Sequence, residues 1–230
     1  MAKGIIYVMT TVVDGLIKIG KTGSDNFEQR MSNLENNGYR NVTGLKRNFA
    51  IEVEDYAEKE SLLDNLFSRS RVSNTELFSL NVNEVIQLLS SFEGKIVYPP
   101  QEDKNEIFES ATEAIQSQCI PDGTYTLDVK PRGVQKRVKA KMVVKNGKMT
   151  VLKGATLGNY TKITVAGWKE IRTALMVNGD VTLEDFEASS PSMAAVIVLG
   201  HSANGWTTWK NAQGKYINIY RPARQSDDNE

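Results

Sequence analysis

The first residues of the chain contain the pattern that most limits how it can fold. Residues 3–21 read KGIIYVMTTVVDGLIKIGK, two apolar runs on either side of a polar break that ends in Asp-Gly. Runs of this kind, rich in β-branched residues, are typical of an antiparallel strand pair. With the turn at residues 12–13, Tyr7 lies opposite Lys18, so that a phenol and an ammonium group share one face of the sheet. The alternative is an edge hairpin whose tyrosine packs and whose lysines are solvated.

Helix and strand patterns continue to about residue 95. Phe27, Met31 and Leu34 recur at helical spacing and predict a helix over residues 24–38, closed by a glycine. We therefore expect an α+β fold whose first domain, residues 1–95, is a small antiparallel sheet flanked by helices. Its other expected elements are a strand at 45–53 and helices at 54–70 and 82–94.

The character of the sequence changes after residue 95. A Pro-Pro pair and a charge run predict a polar linker over residues 96–120, which can include a short helix. Residues 121–222 predict a β-rich α+β domain, and residues 223–230 a solvated tail. The elements expected in this second domain are a hairpin turn at Asn146-Gly147, helices at 167–180 and 190–200, and a final hairpin at 205–220.

Composition narrows the class of protein without naming a partner. The chain has 28 basic and 28 acidic residues, so its net charge predicts nothing about what it binds. Cys119 is the only cysteine and His201 the only histidine, which excludes an internal disulfide and makes a His/Cys zinc site implausible. Without a secretory leader or a long apolar segment, the expected location is cytoplasmic, away from membranes. The oligomeric state is not predicted.

Side chains from the first half form a set suited to phosphodiester cleavage. Glu60, on the second predicted helix, can hold Mg²⁺ or Mn²⁺, a hard ion that keeps its waters and bridges to phosphate oxygen. Arg30, on the first helix, can bind charge that develops on the phosphate. Tyr7 can align or deprotonate the attacking water, with its pKa lowered by a neighbouring cation, and Lys18 and Lys21 supply cations that can also bind phosphate.

In these segments the chain resembles the GIY-YIG nuclease superfamily. IIY at 5–7 stands for its first motif and KIG at 18–20 for its second, in the branch that continues with Lys-Thr and a helix carrying Arg30. AEKESLLD at 57–64 is similar to the helix that carries the metal-binding glutamate of that branch, and ELF at 76–78 matches a later segment. The resemblance spans residues 3–92 and implies a metal-dependent DNA endonuclease with Glu60 as the metal ligand.

Two positions depart from the superfamily pattern. Lys18 replaces the tyrosine of the second motif, and Asp64 stands where the helix of this branch has a histidine. An aspartate cannot act as a neutral base in the way a histidine does. A second interpretation therefore stays open, in which the chain is a non-catalytic nucleic-acid-binding protein built on a degenerate GIY-YIG scaffold.

The second half resembles a C-terminal domain of unknown function that often follows GIY-YIG domains. The similarity spans residues 124–221 and rests on an SPSxAA segment, an NGWxxW segment and a VLKG strand. Small domains attached to restriction and adenine-methylation enzymes are similar too, which implies DNA contact. Trp206 and Trp209 of the second segment can stack on a base, but tryptophans in a short hairpin more often lie in the core.

An unbroken basic run supports DNA contact independently of the resemblance. Nine lysines and arginines and no acidic residue lie between Lys130 and Lys153. A solvated strand usually mixes charges, so this run predicts phosphate binding by a DNA-sensing or DNA-binding domain. Strand alternation places Arg137, Lys139 and Lys141 on one face. The candidate DNA-binding residues are Lys130, Arg132, Lys136, Arg137, Lys139 and Lys141.

Overall fold

The computed structural model of the chain confirms the α+β class and divides into two compact units. It describes residues 2–37, 44–100, 103–130, 137–158, 162–163, 165–175 and 180–222. Residues 1–112 form the first unit and residues 113–230 the second. Each unit contains its own antiparallel sheet and its own hydrophobic core.

The first unit is a five-stranded antiparallel sheet with helices packed on it. The strand order is β4-β2-β1-β3-β5, so the first strand of the chain lies at the centre. Helix α4 starts in this unit, where Ile107 and Ala111 join the core, and ends in the second. The elements are β1 (Lys3–Thr10), β2 (Leu16–Thr22), α1 (Phe27–Asn37), β3 (Lys46–Glu54), α2 (Tyr56–Leu66), β4 (Leu77–Ser79), α3 (Val82–Ser90), β5 (Lys95–Tyr98) and α4 (Lys104–Ser117).

Strand β1 is buried on both faces. Ile6 and Val8 point into one core, whereas Ile5, Tyr7 and Met9 point into the other. A strand covered on both sides reads as a continuous apolar run, which explains the IIYVM sequence. The interpretation of residues 3–21 as an edge hairpin with solvated lysines is therefore wrong.

The register of β1 and β2 differs from the prediction by two residues. Tyr7 pairs with Gly20, and Lys18 pairs with Met9 rather than with Tyr7. The turn lies at Asp14-Gly15 instead of residues 12–13, because Gly15 adopts the positive φ of +74° that a tight turn needs. A shift of two residues preserves the face, so Tyr7 and Lys18 remain diagonal neighbours on one side of the sheet.

The three predicted helices of the first unit are present as α1, α2 and α3. Residues 96–120, expected to be a linker, contain the end of β5 and the whole of α4. β5 pairs with β3, and its short length made it easy to miss in a Pro-rich stretch. Within the described residues, every helix is too short or too polar to span a bilayer.

The second unit is a four-stranded antiparallel sheet with two helices. The strand order is β6-β7-β8-β9, and the Asn146-Gly147 turn between β7 and β8 has the predicted positive φ angles of 51° and 75°. The prediction of a final hairpin at 205–220 was wrong. This segment contains two short 3₁₀ helices, 205–207 and 217–220, on either side of a single bridge between Lys210 and Tyr216. The elements are β6 (Gly123–Val129), β7 (Val138–Lys145), β8 (Lys148–Val151), α5 (Ala166–Leu175), β9 (Phe186–Ala188) and α6 (Pro191–Leu199).

The SPSxAA and NGWxxW segments interlock at the start of α6. Ser190 caps this helix through the backbone N–H of Met193, 3.1 Å away. The Trp209 indole N–H donates to the Pro191 carbonyl at 3.0 Å, and Gly205 lies so close to Pro191 that no Cβ would fit. Trp206 and Trp209 are only 2% and 0% exposed. Their assignment to the core is confirmed, and they are not available to stack on a base.

Replacing Trp209 with Phe is expected to destabilise the second unit more than the matched change at Trp206. Both changes remove indole volume, but Trp209→Phe leaves the buried Pro191 carbonyl without its donor. The Trp206 indole N–H is buried with no partner among the described residues, so its loss carries no such cost. We expect a difference of about 1–3 kcal/mol in the free energy of unfolding, measured by urea denaturation. Equal effects would contradict the role given to the Trp209 hydrogen bond.

Candidate functional site

Tyr7 lies at the centre of the candidate site and is held rigidly. It occupies the middle of β1, is 1% exposed, and packs with Phe27 and Met31 of α1. Its ring covers Gly20 on the paired strand, where a Cβ would lie 2.6 Å from the phenol oxygen. Glycine at position 20 is therefore required by the close approach of the ring.

Arg30 reaches Tyr7 from α1. The apolar residues of α1 face the sheet, and Arg30 lies one turn after Phe27 at the border of that face. Its Nε donates to the Tyr7 hydroxyl oxygen at 3.4 Å, while the arginine itself stays exposed. The guanidinium is thus placed beside the phenol at the surface of the first unit.

Two lysines of β2 pair with two glutamates. Lys21 donates to Glu60 of α2 at 2.9 Å, and the Glu60 side chain is 20% exposed. Lys18, 2% exposed, forms an ion pair with Glu76, which lies just before β4 and is about half exposed. Burial of an ammonium group requires such a partner, because an isolated charge in the core would cost several kcal/mol.

The environment of Tyr7 raises the pKa of its phenol. Burial is the largest cause, and the hydrogen bond and charge of Arg30 lower the pKa by less. The charges of Glu76 and Glu60 raise it further, which shows that both carboxylates act on the phenol. A neighbouring cation, Arg30, does lower this pKa as expected, but burial outweighs it, so Tyr7 is a neutral hydrogen-bonding group near neutral pH.

The donors present fit a lightly held divalent ion. Across the described part of the chain, His, Cys, Asp and Glu side chains do not form a group of three that could hold a metal. Mg²⁺ often binds proteins through one or two carboxylates and takes its other ligands from water and substrate phosphates. Glu60 is partly exposed and within electrostatic reach of Tyr7, so it is suited to that mode, whereas the described residues do not form a closed zinc-like cage.

The five candidate catalytic residues lie on the elements predicted from the sequence, and Glu76 was not among them. The structure brings Tyr7 and Arg30 together and pairs Lys21 with Glu60. It also places Glu76 on Lys18 and within electrostatic reach of Tyr7. The ELF segment was the available signal, but only the pairing of β4 with β2 shows where it lies.

Asp64, which the resemblance places at the histidine position of the GIY-YIG branch, is engaged in an ion pair. Its carboxylate accepts from Arg71 at 2.7 Å, and the Arg71 guanidinium also lies 4.7 Å from the centre of the Phe78 ring. Both departures from the superfamily pattern, Lys18 and Asp64, therefore have partners within the first unit.

The basic face of the second unit is formed by alternate residues of β7 and by Arg137 just before it. Arg137, Lys139 and Lys141 are exposed, while Val138, Ala140 and Met142 between them are buried, as predicted. Lys130, just after β6, is also exposed, whereas Arg132 and Lys136 lie outside the described residues.

An acidic residue from the neighbouring strand enters this basic face. Asp128 of β6 lies opposite Lys139 and accepts from Arg137 at 2.7 Å, an interaction that lowers the pKa of Asp128. The run from Lys130 to Lys153 contains no acidic residue in the sequence, since Asp128 lies just before it. Strand pairing nevertheless places Asp128 next to the run in the folded sheet. In the sheet, Arg137 is thus partly neutralised, and Lys139 and Lys141 provide the stronger cationic surface.

Comparison with known proteins separates the two units in the same way. Residues 4–93 match the model of the T5orf172 domain, and residues 132–221 match DUF4357, a domain of unknown function. Searches of curated proteins and of solved structures gave no match. The T5orf172 match covers Tyr7, Arg30 and Glu60, together with both lysines of β2. Residues 4–93 therefore form a GIY-YIG-like, nuclease-associated domain, and a domain of unknown function follows it.

Proposed function

We propose that the first unit is a GIY-YIG-type endonuclease that hydrolyses DNA phosphodiester bonds with a divalent metal ion. The observation that carries the proposal is a set of interactions that links four side chains from four elements. Tyr7 hydrogen-bonds with Arg30, Lys21 with Glu60, and the charge of Glu60 acts on Tyr7. A neutral phenol, cations and a carboxylate within electrostatic reach of one another suit attack of water on a phosphate.

The carboxylate and the cations have separate roles in this proposal. Glu60 would hold Mg²⁺ or Mn²⁺, which supplies Lewis-acid stabilisation of phosphate oxygens and a more acidic bound water. Lys21 keeps the Glu60 carboxylate in place through its 2.9 Å contact and adds positive charge next to the phosphate. Arg30 binds the negative charge that develops on the non-bridging oxygens, for which its planar, forked guanidinium is suited.

Tyr7 orients the attacking water as a neutral phenol. Its hydroxyl already accepts from Arg30, so its own proton is free to donate, and its raised pKa keeps that proton in place at neutral pH. The ion pair of Lys18 with Glu76 holds the Glu76 carboxylate, whose charge helps to raise the pKa of Tyr7. The Tyr7 ring is held in place where it packs over Gly20. Tyr7 can therefore orient a water molecule in line with the scissile bond without a large rearrangement of this chain.

A plasmid assay tests the proposal directly. Supercoiled DNA is incubated with the full chain in the presence of Mg²⁺, Mn²⁺ or EDTA, and nicked and linear forms are separated by electrophoresis. We expect cleavage only with a divalent ion. DNA binding without cleavage under any of these conditions would overturn the endonuclease proposal.

The second candidate function is nucleic-acid binding without catalysis. The ion pair of Asp64 with Arg71 favours it, because the residue at the histidine position is used within the fold. The plasmid assay separates the two candidates, since this one expects retention of DNA in a gel shift and no nicking.

For the second unit, we infer that the basic face of β7 contacts DNA phosphates. Changing Lys139 and Lys141 to Gln is expected to reduce the slope of log affinity against log salt by about 2, since each lost contact removes roughly 0.9. Arg137→Gln should change it by less than one full contact, because Asp128 already neutralises this residue in part. Titrations of unrelated duplexes at several salt concentrations measure the slopes. If the double lysine variant has the same slope of log affinity against log salt as the parent, the basic face is an ordinary solvated surface.

A further inference from the structure

A cleft of about 630 Å³ opens on the exposed face of the second unit's sheet. Its floor comes from β6 and β7, and its wall is the segment 152–155 that follows β8. Two backbone hydrogen bonds hold this segment against β7: Leu152 N–H donates to the Lys141 carbonyl at 2.9 Å, and Thr156 N–H to the Lys139 carbonyl at 2.7 Å. The cleft is therefore built into the backbone of the unit rather than left between flexible side chains.

Three lysines surround the cleft from both sides. Lys139 and Lys141 rise from the floor on β7, and Lys153 belongs to the wall. All three are exposed, and none of their ammonium groups makes a hydrogen bond or ion pair with any residue in the described part of the unit.

Acidic residues near the cleft do not cancel this charge. Asp128 lines the floor but is bonded to Arg137, and Asp185 accepts from the backbone N–H of Lys153 at 2.7 Å. Asp128 and Arg137 together are neutral, so the lysines leave a surplus of positive charge even when Asp185 is counted.

The size and charge of the cleft define a class of ligand. Several ammonium groups that converge on one space suit a group with two negative charges, and lysine is a common point-charge partner of phosphate. The Thr126 hydroxyl adds a donor, and Leu152 provides apolar contact for an organic body. A volume near 630 Å³ is in the range of small-molecule sites.

We propose that this cleft is a binding site for an organic phosphate of nucleotide size. The ligand can be a free nucleotide or one nucleotide of a single strand, which share the same chemistry. The site does not require nuclease activity in the first unit. It shares Lys139 and Lys141 with the inferred duplex contact and adds Lys153, which lies on the other side of the cleft.

Isothermal titration of the full chain with adenosine 5′-monophosphate tests the site, and Lys141 and Lys145 offer a matched pair of variants. Both are exposed on the same face of β7, but only Lys141 lines the cleft. Lys141→Gln and Lys153→Gln are each expected to weaken binding by roughly tenfold, the effect of losing one charge-assisted hydrogen bond. Lys145→Gln removes the same charge from the same strand and should change the affinity less than about twofold.

A competing short oligonucleotide separates the two sources of the ligand. Displacement of the nucleotide by a 5′-phosphorylated single-stranded hexamer supports a strand as the source, and displacement by free nucleotides alone supports a small-molecule ligand. Absence of binding up to about 1 mM nucleotide, or equal losses for Lys141→Gln and Lys145→Gln, would overturn the proposal. If the variant with Lys139 and Lys141 changed to Gln binds duplex DNA with the salt slope of the parent, while the parent binds the nucleotide, the inferred duplex contact is rejected and the nucleotide site is retained.

Discussion

Glu60→Gln is expected to reduce divalent-metal-dependent DNA cleavage by at least about 10²–10³-fold. Glutamine keeps the size of the side chain and its hydrogen bond from Lys21 but lacks the charge that holds a hard cation. The Lys21–Glu60 pair is partly exposed, so the loss of stability should be no more than about 1 kcal/mol. Initial nicking rates across a Mg²⁺ titration, with thermal unfolding of both proteins, measure the two effects.

Two neighbouring carboxylates provide the controls. Glu58→Gln changes an exposed residue of the same helix and should leave the rate unchanged. Glu76→Gln leaves buried Lys18 without its partner, so we expect lower stability together with a smaller loss of rate than Glu60→Gln. If Glu60→Gln cleaves DNA at the parent rate and Glu76→Gln does not, Glu76 rather than Glu60 is the metal ligand.

The sequence was sufficient for local structure where periodicity and turn chemistry agree. Helices α1 and α6 and the Asn146-Gly147 turn follow from apolar spacing, a serine cap and residues that tolerate positive φ. The predicted register of β1 and β2 was wrong by two residues, because the sequence between the strands allows a turn at 12–13 as well as one at Asp14-Gly15. Only Gly15 at φ +74° decides between them, and it does so in the folded chain.

Contacts between distant segments could not be read from the sequence. Glu76 is 58 positions from Lys18, and its place in the site depends on how the three-residue strand β4 pairs with β2. Asp128 lies just before the basic run and enters it only through strand pairing. For the same reason burial could not be assigned to Tyr7 beforehand, and burial is what reverses the direction expected for its pKa. Charges near a site in space, rather than in sequence, set its electrostatics.

Tyr7→Phe is expected to lower the cleavage rate by about 10²-fold or more at every pH from about 6 to 9. Phenylalanine fills the same buried space, and only the hydroxyl and its contact with Arg30 are lost, so the fold should survive. Because burial raises the pKa of Tyr7 above its ordinary value of 10, the phenol stays protonated throughout this range. The ratio of the parent rate to the Tyr7→Phe rate should therefore be independent of pH.

The opposite result has a clear signature. If the phenolate were the base, its small ionised fraction would grow tenfold with each pH unit, and the rate ratio would rise with it. At a given pH, Arg30→Gln would then reduce the ratio, because Arg30 lowers the pKa of Tyr7 and its loss would reduce the ionised fraction. Rates measured at constant ionic strength and saturating Mg²⁺ distinguish a proton donor that orients water from a base.

Gly20→Ala should produce the same loss by moving the phenol rather than removing it. An added Cβ would lie 2.6 Å from the Tyr7 hydroxyl oxygen, so the ring must shift from its place beside Arg30. Gly23→Ala, where the nearest atom to the new Cβ is 3.9 Å away, is the matched control and should be tolerated. In a Tyr7→Phe background Gly20→Ala should add little to the loss of rate, because both changes remove the same hydroxyl from the site. Fully additive losses in the double variant would show that Gly20 acts on cleavage by a route other than Tyr7.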